Sequence, residues 1–591
     1  MPKTGILGSG DRGQTSPLDT HNKSGFTGFF KSLSMPDLID RHRWLWFGSL
    51  GFLLIISYNG QWLVGPDSAA YRALGHQLAT TGRYYFRDLV PGLDEYHNQQ
   101  GTRYPGLPLV LAGLEKMFEV GLAAPLILMH LLAALTLIIV YRLMLYRMER
   151  WLAVCVVVGV GTNSRFLQYA NELLSDLPFL LGIVITLLGC EHIVRADSRR
   201  KLTGSLLETF IGLVLAASMR PTFWLLAMAI AASSLWGIMR GRVGLISDAS
   251  LTGTSPEPIF RRLNPAVVRR ASACILLVLL AAILFFSRVL DIRTTHQAGG
   301  VTAGGYESRM IDKLGNFRQK MLPRLAENLG ELLENAIPIS FLGCRSGWGV
   351  IPLGTHRAGI GSVFSLIVIA AGLWLMRRQL SWGLLVLITV VSLGLGGPIP
   401  RYFLMILPLL LAGWALLVHR CAKHCNSPGG KTIVTCLGLG TVLVLNLAVS
   451  GEFIITQWGV ASPINDHRHW QGFKHVGFLH AYHSGHWAGI YELAARVRET
   501  SSPDEKIIGP EATILTYLSG RQVYPPNVLR VSQTYDGEFP RAWFPVGTGR
   551  QMFDEYDLPI QNLVRAGKIT QGRSVGKVVA GYQLAELTVA R

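Results

Sequence analysis

Charge is what this sequence has little of. Asp, Glu, Lys and Arg together make up 16% of 591 residues, against 50% hydrophobic. A chain so poor in charge and so rich in apolar residues excludes intrinsic disorder, and the lack of any internal repeat excludes a fibrous protein. Acidic residues are the scarcer sign, 37 against 55 basic, which leaves a formal net charge of +18. Cysteine is sparse too. Cys155, Cys190 and Cys274 fall in apolar runs, Cys421, Cys425 and Cys436 fall at the cytosolic side, and Cys344 is alone outside. With no outer pair, no structural disulfide is expected. Cys421 and Cys425 are two thiols without further ligands, a weak metal signal. No apolar leader opens the chain. Residues 1–43 are polar and rich in Gly, Ser and Thr, and read as a disordered cytosolic arm ahead of an uncleaved anchor helix.

Long hydrophobic runs are what the sequence does have, among them Trp44 to Tyr58, Leu126 to Tyr141, Leu177 to Leu188, Ala271 to Phe286 and Ile433 to Val449. Their lengths match a bilayer's hydrocarbon layer better than a globular core. Their lack of alternation predicts helices. About eleven spans follow, near 44–64, 122–146, 151–166, 175–194, 205–219, 222–239, 271–290, 359–376, 382–397, 402–419 and 432–453. A soluble nucleic-acid binder is excluded despite the basic excess.

The basic residues give the orientation. The arm and the short loops at 147–150, 195–204, 240–270, 377–381 and 420–431 hold 23 Lys and Arg against 8 Asp and Glu. The positive-inside rule puts these in the cytosol and the loops 65–121 and 291–357, with the tail after 454, on the other side. That count requires the stretch from Pro105 to Phe118, with Glu115 and Lys116, not to cross; its length suits a re-entrant or interfacial helix.

Polar groups gather at the outer boundary. Asp67, Tyr71, Leu74 and Leu78 share one face of a predicted short helix. Asp67 reads either as an N-cap or as a carboxylate facing a cleft, and the two readings are compatible. Arg103, before Tyr104 and Pro105, suits a phosphate at headgroup depth, or snorkels as an interfacial Arg. Asn171, Glu172 and Asp176 open another span, Arg220 links two, and Arg401 with Tyr402 opens a late one. Charges at such depth are costly unless paired or lining a wet cavity, so a polar cleft or mutual salt bridging is expected.

In this order the pieces resemble the GT-C class of integral-membrane glycosyltransferases, especially bacterial relatives of the protein O-mannosyltransferases and of the lipid A aminoarabinose transferases. The resemblance rests on Asp67, Tyr71, Ala73 and Gly82 in the first loop. It continues through Arg103-Tyr104-Pro105 and through Arg401, Tyr402 and Pro408. After the last span, Tyr491 to Thr500, Pro503-Asp504, Lys506 to Ile508, Ala512 to Leu518 and Ser519-Gly520-Arg521 match the class's helix, turn, strand, helix pattern. The chain has Asp67-Ser68 where many members have Asp-Glu.

The resemblance implies an α-helical polytopic membrane protein with a transmembrane glycosyltransferase domain over 44–453 and a small extracytoplasmic α/β domain over 454–591. It also implies a bacterial plasma-membrane setting, a polyprenyl-phosphate-sugar donor, a lipid, glycan or protein acceptor, and no nucleic acid. Asp67 would be the general base, with Tyr71 and Tyr104 lining the substrate site. Arg103, Arg220, Arg401 and Tyr402 would serve the lipid phosphate, and Glu172 or Asp176 would orient the acceptor or bind Mg²⁺ or Mn²⁺, with metal need open. A transporter or flippase, and a polymerase or ligase, of lipid-linked saccharides are the rivals. A flippase would favour inverted repeats and midplane breaks. The stretch from Met310 to Ile337 is amphipathic, split at Pro323, and reads as a lid or as packing against the first loop. His480, His483 and His486, within the cluster from His467 to His486, read as surface histidines or a zinc site. The tail ends in a predicted strand from Lys577 to Val589.

Overall fold

The computed structural model describes residues 35–58, 66–82, 104–118, 123–196, 198–239, 275, 276, 279, 328–342, 358–375, 379–396, 400–459, 493–510, 512–524, 541–545, 554–566, 568–579 and 582–589. Five helical stretches are long and apolar enough to cross a membrane: Ala124–Leu145, Asp176–Arg195, Arg199–Met219, Arg401–Lys423 and Pro428–Ile455. Shorter apolar helices at Arg43–Ser57, Arg150–Gly161, Phe223–Trp236, Gly361–Trp374 and Leu380–Leu395 fall at other predicted spans. The predicted span at 271–290 lies almost wholly outside the described residues. The chain is a multi-pass membrane protein, mostly helical, with one small sheet.

Eight of the described helices belong to the bundle and its polar face, and a ninth belongs to the sheet unit. They are α1 (Arg43–Ser57), α2 (Pro66–Thr81), α3 (Gly106–Phe118), α4 (Arg150–Gly161), α5 (Ser164–Ala170), α6 (Asp176–Arg195), α7 (Arg199–Met219), α8 (Leu407–Lys423) and α9 (Ala512–Ser519). In lipid, burying apolar surface against another helix gains little, so close approach of backbones has to hold the bundle. The α6–α7 pair does this with small residues. A Cβ at Gly212 would lie 2.6 Å from the Thr186 nitrogen, and one at Gly182 would lie 2.6 Å from that of Ala216. Elsewhere the bundle turns Leu131, Leu135, Ile138, Val444 and Leu447 outward, as lipid-facing surfaces require.

Three predicted spans are less regular than their hydropathy. The span predicted at 151–166 ends as α4 at Gly161; Asn163 then caps α5, its side-chain oxygen accepting the Arg165 N–H at 3.1 Å. Hydropathy does not register a cap inside an apolar run. The late span starts as a 3₁₀ turn over Pro400–Ile406 before α8, whose Pro408 has no N–H to extend the ladder backward. The last one carries a π turn at Cys436–Gly440, and the Trp414 indole donates to the Gly438 carbonyl at 2.9 Å.

Part of the loop assigned to 291–357 is inside the bundle. Leu332–Ala336 forms a π turn, Ile337–Leu342 is helical, and Leu332 and Ile337 are fully buried. Asn163 donates to the Ser340 carbonyl at 3.0 Å, and Asn446 donates to that of Phe341 at 3.3 Å. Two amides thus satisfy backbone that lipid could not. Met310 to Leu325, with Pro323, and the His467–His486 cluster lie outside the described residues.

The sheet has five strands in the order β2-β1-β3-β5-β4: β1 (Lys506–Ile508), β2 (Gln522–Tyr524), β3 (Arg541–Pro545), β4 (Ile569–Val579) and β5 (Tyr582–Val589). β1 runs parallel to β2 and β3, with α9 as the crossover from β1 to β2, while β5 is antiparallel to β3 and β4. The strand predicted over Lys577 to Val589 is a correction: Val579 pairs with Tyr582, so the chain reverses within it. The apolar character continues across that reversal and hides it. α9 packs against α2, which brings the sheet unit to the Asp67 helix.

Candidate active site

The site grows from helix ends. α2 begins Pro66-Asp67, proline filling the first position where no N–H is needed. Asp67 therefore sits within the first turn, not at the N-cap, where a carboxylate still meets the positive end of the helix dipole. Tyr71 and Leu74, on the same face, are buried and Leu78 is half-buried, as the spacing predicts. Gly82 comes next at φ +69°, a left-handed position that suits glycine and stops the helix.

Two Asp–Arg pairs form the centre. An Nη of Arg401 donates to an Asp67 oxygen at 2.7 Å; the side chains are 30% and 18% exposed. An Nη of Arg220 donates to Asp176, and there the exposures are 8% and 3%. The Tyr402 ring joins the pairs. The Arg220 guanidinium carbon lies 5.2 Å and that of Arg401 5.4 Å from its centroid, both in cation–π range. Arg401 and Tyr402 come from the 3₁₀ turn ahead of α8, Asp176 from the start of α6, and Arg220 from the end of α7.

Ser175 ties these elements together. Its hydroxyl is hydrogen-bonded to the Tyr71 hydroxyl at 2.9 Å and accepts Arg220 Nε at 3.1 Å. Sequence reasoning passed over it because an uncharged Ser beside Asp176 carries no signal except its place just before a helix. A polar row lies behind. Arg165 donates to Gln168 at 2.8 Å, and Gln168 donates to Glu172 at 2.7 Å, at helical spacing. Burial pushes the Glu172 carboxyl up to about 7 against the opposing Gln168 bond; Asp176 raises it further, and Arg165 and Arg401 pull it down. Burial, with Asp176 next, also raises the Tyr169 phenol.

Arg103 lies outside the described residues. Tyr104 is buried next to Gly106, where a Cβ would be 2.7 Å from the Ser218 carbonyl, so this stretch runs beside the end of α7 that leads to Arg220. A second missed cluster fixes α3 on α2: Glu115 pairs with Arg72 at 2.6 Å and with His76 at 2.5 Å. Asp67, Tyr71, Asp176, Arg220, Arg401 and Tyr402 thus form one connected network, with Glu172 in the adjoining row.

Among the described residues no group of three or more His, Cys, Asp or Glu is placed to hold a metal. Asp67 is engaged by Arg401, Asp176 by Arg220 and Glu172 by Gln168. That donor set does not form a cage for Mg²⁺ or Mn²⁺, which favour several converging oxygens, so no chemical step is routed through a metal. The arrangement offers instead one carboxylate with solvent access and two guanidiniums, a combination suited to moving a proton beside an anion.

No family model and no curated protein sequence matches the chain. Solved structures match the fold of the chain. In particular, the crystal structure of ArnT from Cupriavidus metallidurans bound to undecaprenyl phosphate matches with a TM-score of 0.51 at 12% identity, over 92% of this chain and 98% of ArnT. The archaeal oligosaccharyltransferase AglB from Archaeoglobus fulgidus, in complex with an inhibitory peptide and a dolichol-phosphate, reaches 0.45 at 13% identity, over 82% of this chain and 64% of its own. At this identity the likeness to ArnT is one of fold.

Proposed function

We propose that the protein transfers a sugar from a polyprenyl-phosphate donor to an acceptor hydroxyl on a lipid, glycan or protein at the outer face of the membrane. The observation that carries this reading is the Asp67–Arg401 pair: a carboxylate and a guanidinium, both open to water, joined through Tyr402 to a buried Asp–Arg pair at the ends of membrane helices. The acceptor hydroxyl gives its proton to the Asp67 carboxylate as its oxygen bonds to the anomeric carbon. The bond from that carbon to the phosphate oxygen breaks, its electron pair stays with the lipid phosphate, and the configuration inverts in one step. Arginine offsets the charge gathering on the leaving phosphate. Arg103, Glu172 and the buried Tyr71 and Tyr104 complete the proposed substrate environment. About eleven spans, a cytosolic N-terminus and an extracytoplasmic unit after 454 would put the site where a lipid-anchored donor can reach it without leaving the bilayer.

The test is transfer by purified protein from polyprenyl-phosphate-sugars to membrane acceptors, comparing wild type with Asp67→Asn. Undiminished transfer by the variant removes Asp67 as base, and no transfer from any donor removes the enzyme reading.

A further inference from the structure

The guanidiniums of the site differ in which nitrogens they have spent. The Nε and Nη2 groups of an arginine donate side by side, and that edge fits two oxygens of one phosphate. Arg220 has used its edge: Nε donates to Ser175 and Nη2 to Asp176. Arg401 has not. It donates Nη1 to Asp67, on the flank away from that edge, and its Nε–H is buried with no hydrogen-bond partner among the described residues. Arg165, which the transfer reading leaves unused, repeats the pattern. Its Nη1 donates to Gln168 at 2.8 Å, and its Nε–H is likewise buried without a partner among the described residues. A buried donor with no acceptor is costly, and here two of the same kind occur in one site.

Both open edges belong to one region. The charges of Arg165 and Arg401 act together on the Glu172 carboxyl and on the Tyr169 phenol, so the two guanidiniums stand around the same pair of side chains. Arg165 is oriented without being neutralised. Gln168 stands between it and Glu172, accepting from the guanidinium and donating to the carboxyl. An arginine placed as a counter-ion would touch the carboxylate instead. Burial also holds Glu172 up at about 7, so at neutral pH its negative charge is only partly present. Asp67 and Asp176 are paired with Arg401 and Arg220. The positive charge of Arg165 is the one these carboxylates leave unbalanced.

We infer that Arg165 is a phosphate-binding residue: with Arg401 it seats the phosphate of the lipid-linked donor on two Nε–Nη2 edges, while Arg220 takes no part. This rests on the transfer reading and places the phosphate within it. Seated there, the phosphate satisfies both orphan donors and supplies the missing negative charge. Arg401 keeps its Nη1 on Asp67 throughout, so one guanidinium sets the spacing between the base and the leaving group. Arg220, its edge spent in a dry pair, holds Ser175 and Asp176 in place.

The experiment measures binding of a polyprenyl phosphate, and of the uncharged polyprenol of the same length, to the full-length protein in lipid nanodiscs. Arg165→Gln should bind the phosphate at least about tenfold more weakly, the loss expected for a charge-assisted bidentate contact, with polyprenol binding unchanged. Unchanged affinity for the phosphate overturns the assignment of Arg165 and leaves the transfer reading intact. Equal losses for both lipids also overturn it, since they mark a structural role. Inorganic phosphate that displaces the lipid at the lipid's own concentration assigns the seat to free phosphate and overturns the lipid assignment. Failure of the wild type to prefer the phosphate over polyprenol overturns the transfer reading itself. Should Arg165→Gln not fold, Arg165→Lys keeps the charge and lacks the paired N–H groups; weaker binding of the phosphate is expected, and unchanged binding overturns the assignment.

Discussion

The two Asp–Arg pairs of the site have the same chemistry and different surroundings. Asp176 and Arg220 meet where α6 begins and α7 ends, on the seam that glycines close, and almost no water reaches them. Asp67 and Arg401 meet between the first turn of α2 and a 3₁₀ turn, with side chains 18% and 30% exposed. A buried pair is expensive to assemble and worse to break, whereas a half-exposed one adds little to stability and can change partners. In the proposed reaction the difference would separate a part that positions from a part that reacts, a distinction that residue type alone does not make.

Four measurements would break or sharpen that contrast. The largest effect is expected at the exposed pair: Asp67→Asn should lower the transfer rate by about 10²–10⁴-fold while shifting unfolding stability by no more than ~1 kcal/mol. Parallel transfer and thermal-unfolding assays decide it, and a large stability loss would place Asp67 with the structural pair. At the buried pair the order reverses. Asp176→Asn leaves Arg220 buried and uncompensated and should cost about 3–5 kcal/mol in unfolding measured in detergent.

The third concerns pH. The Glu172 carboxyl titrates near 7 when folded and at its ordinary lower value when unfolded, so between the two the folded state holds the extra proton. Stability therefore falls as pH rises through that window, by up to ~1.4 kcal/mol per unit, and Glu172→Gln should flatten the slope. An unchanged slope in the variant would assign the titration to another group. The smallest effect is expected at the link between elements. Ser175→Ala removes the contacts to Tyr71 and Arg220 and should cost about 1–2 kcal/mol of stability. Transfer should survive, and a loss as deep as that of Asp67→Asn would make Ser175 part of the reacting group.

Most of the helix positions were legible because lipid imposes a long apolar run, and little else in a sequence looks like one. The breaks were not legible. The Asn163 cap and the π turn at Cys436–Gly440 both fall inside predicted spans, where hydropathy shows no break. The charged members of the site were visible one by one, because a charge at the edge of a span needs a reason. Their partners were not: Asp67 and Arg401 are 334 residues apart, and nothing local in either predicts the other. Ser175 and Gln168 were missed because neutral side chains become informative only once their neighbours are known, and Arg165 because it fell at the edge of the span predicted at 151–166. The insertion of Leu332–Leu342 into the bundle was hidden for a related reason, since an amphipathic pattern does not say which surface its apolar face meets.

The α6–α7 seam has one more effect. Besides the Asp176–Arg220 pair at one end, His192 meets Glu208 at 2.6 Å toward the other, and between them glycines lock into threonine and alanine backbone. A slide of either helix by a single residue, about 1.5 Å, would break both pairs and drive backbone into backbone. The hairpin is therefore a ratchet without a second notch. If a lipid donor enters the site as the proposed function requires, the yielding side would be that of α2 and α8, and the α6–α7 hairpin would stay fixed.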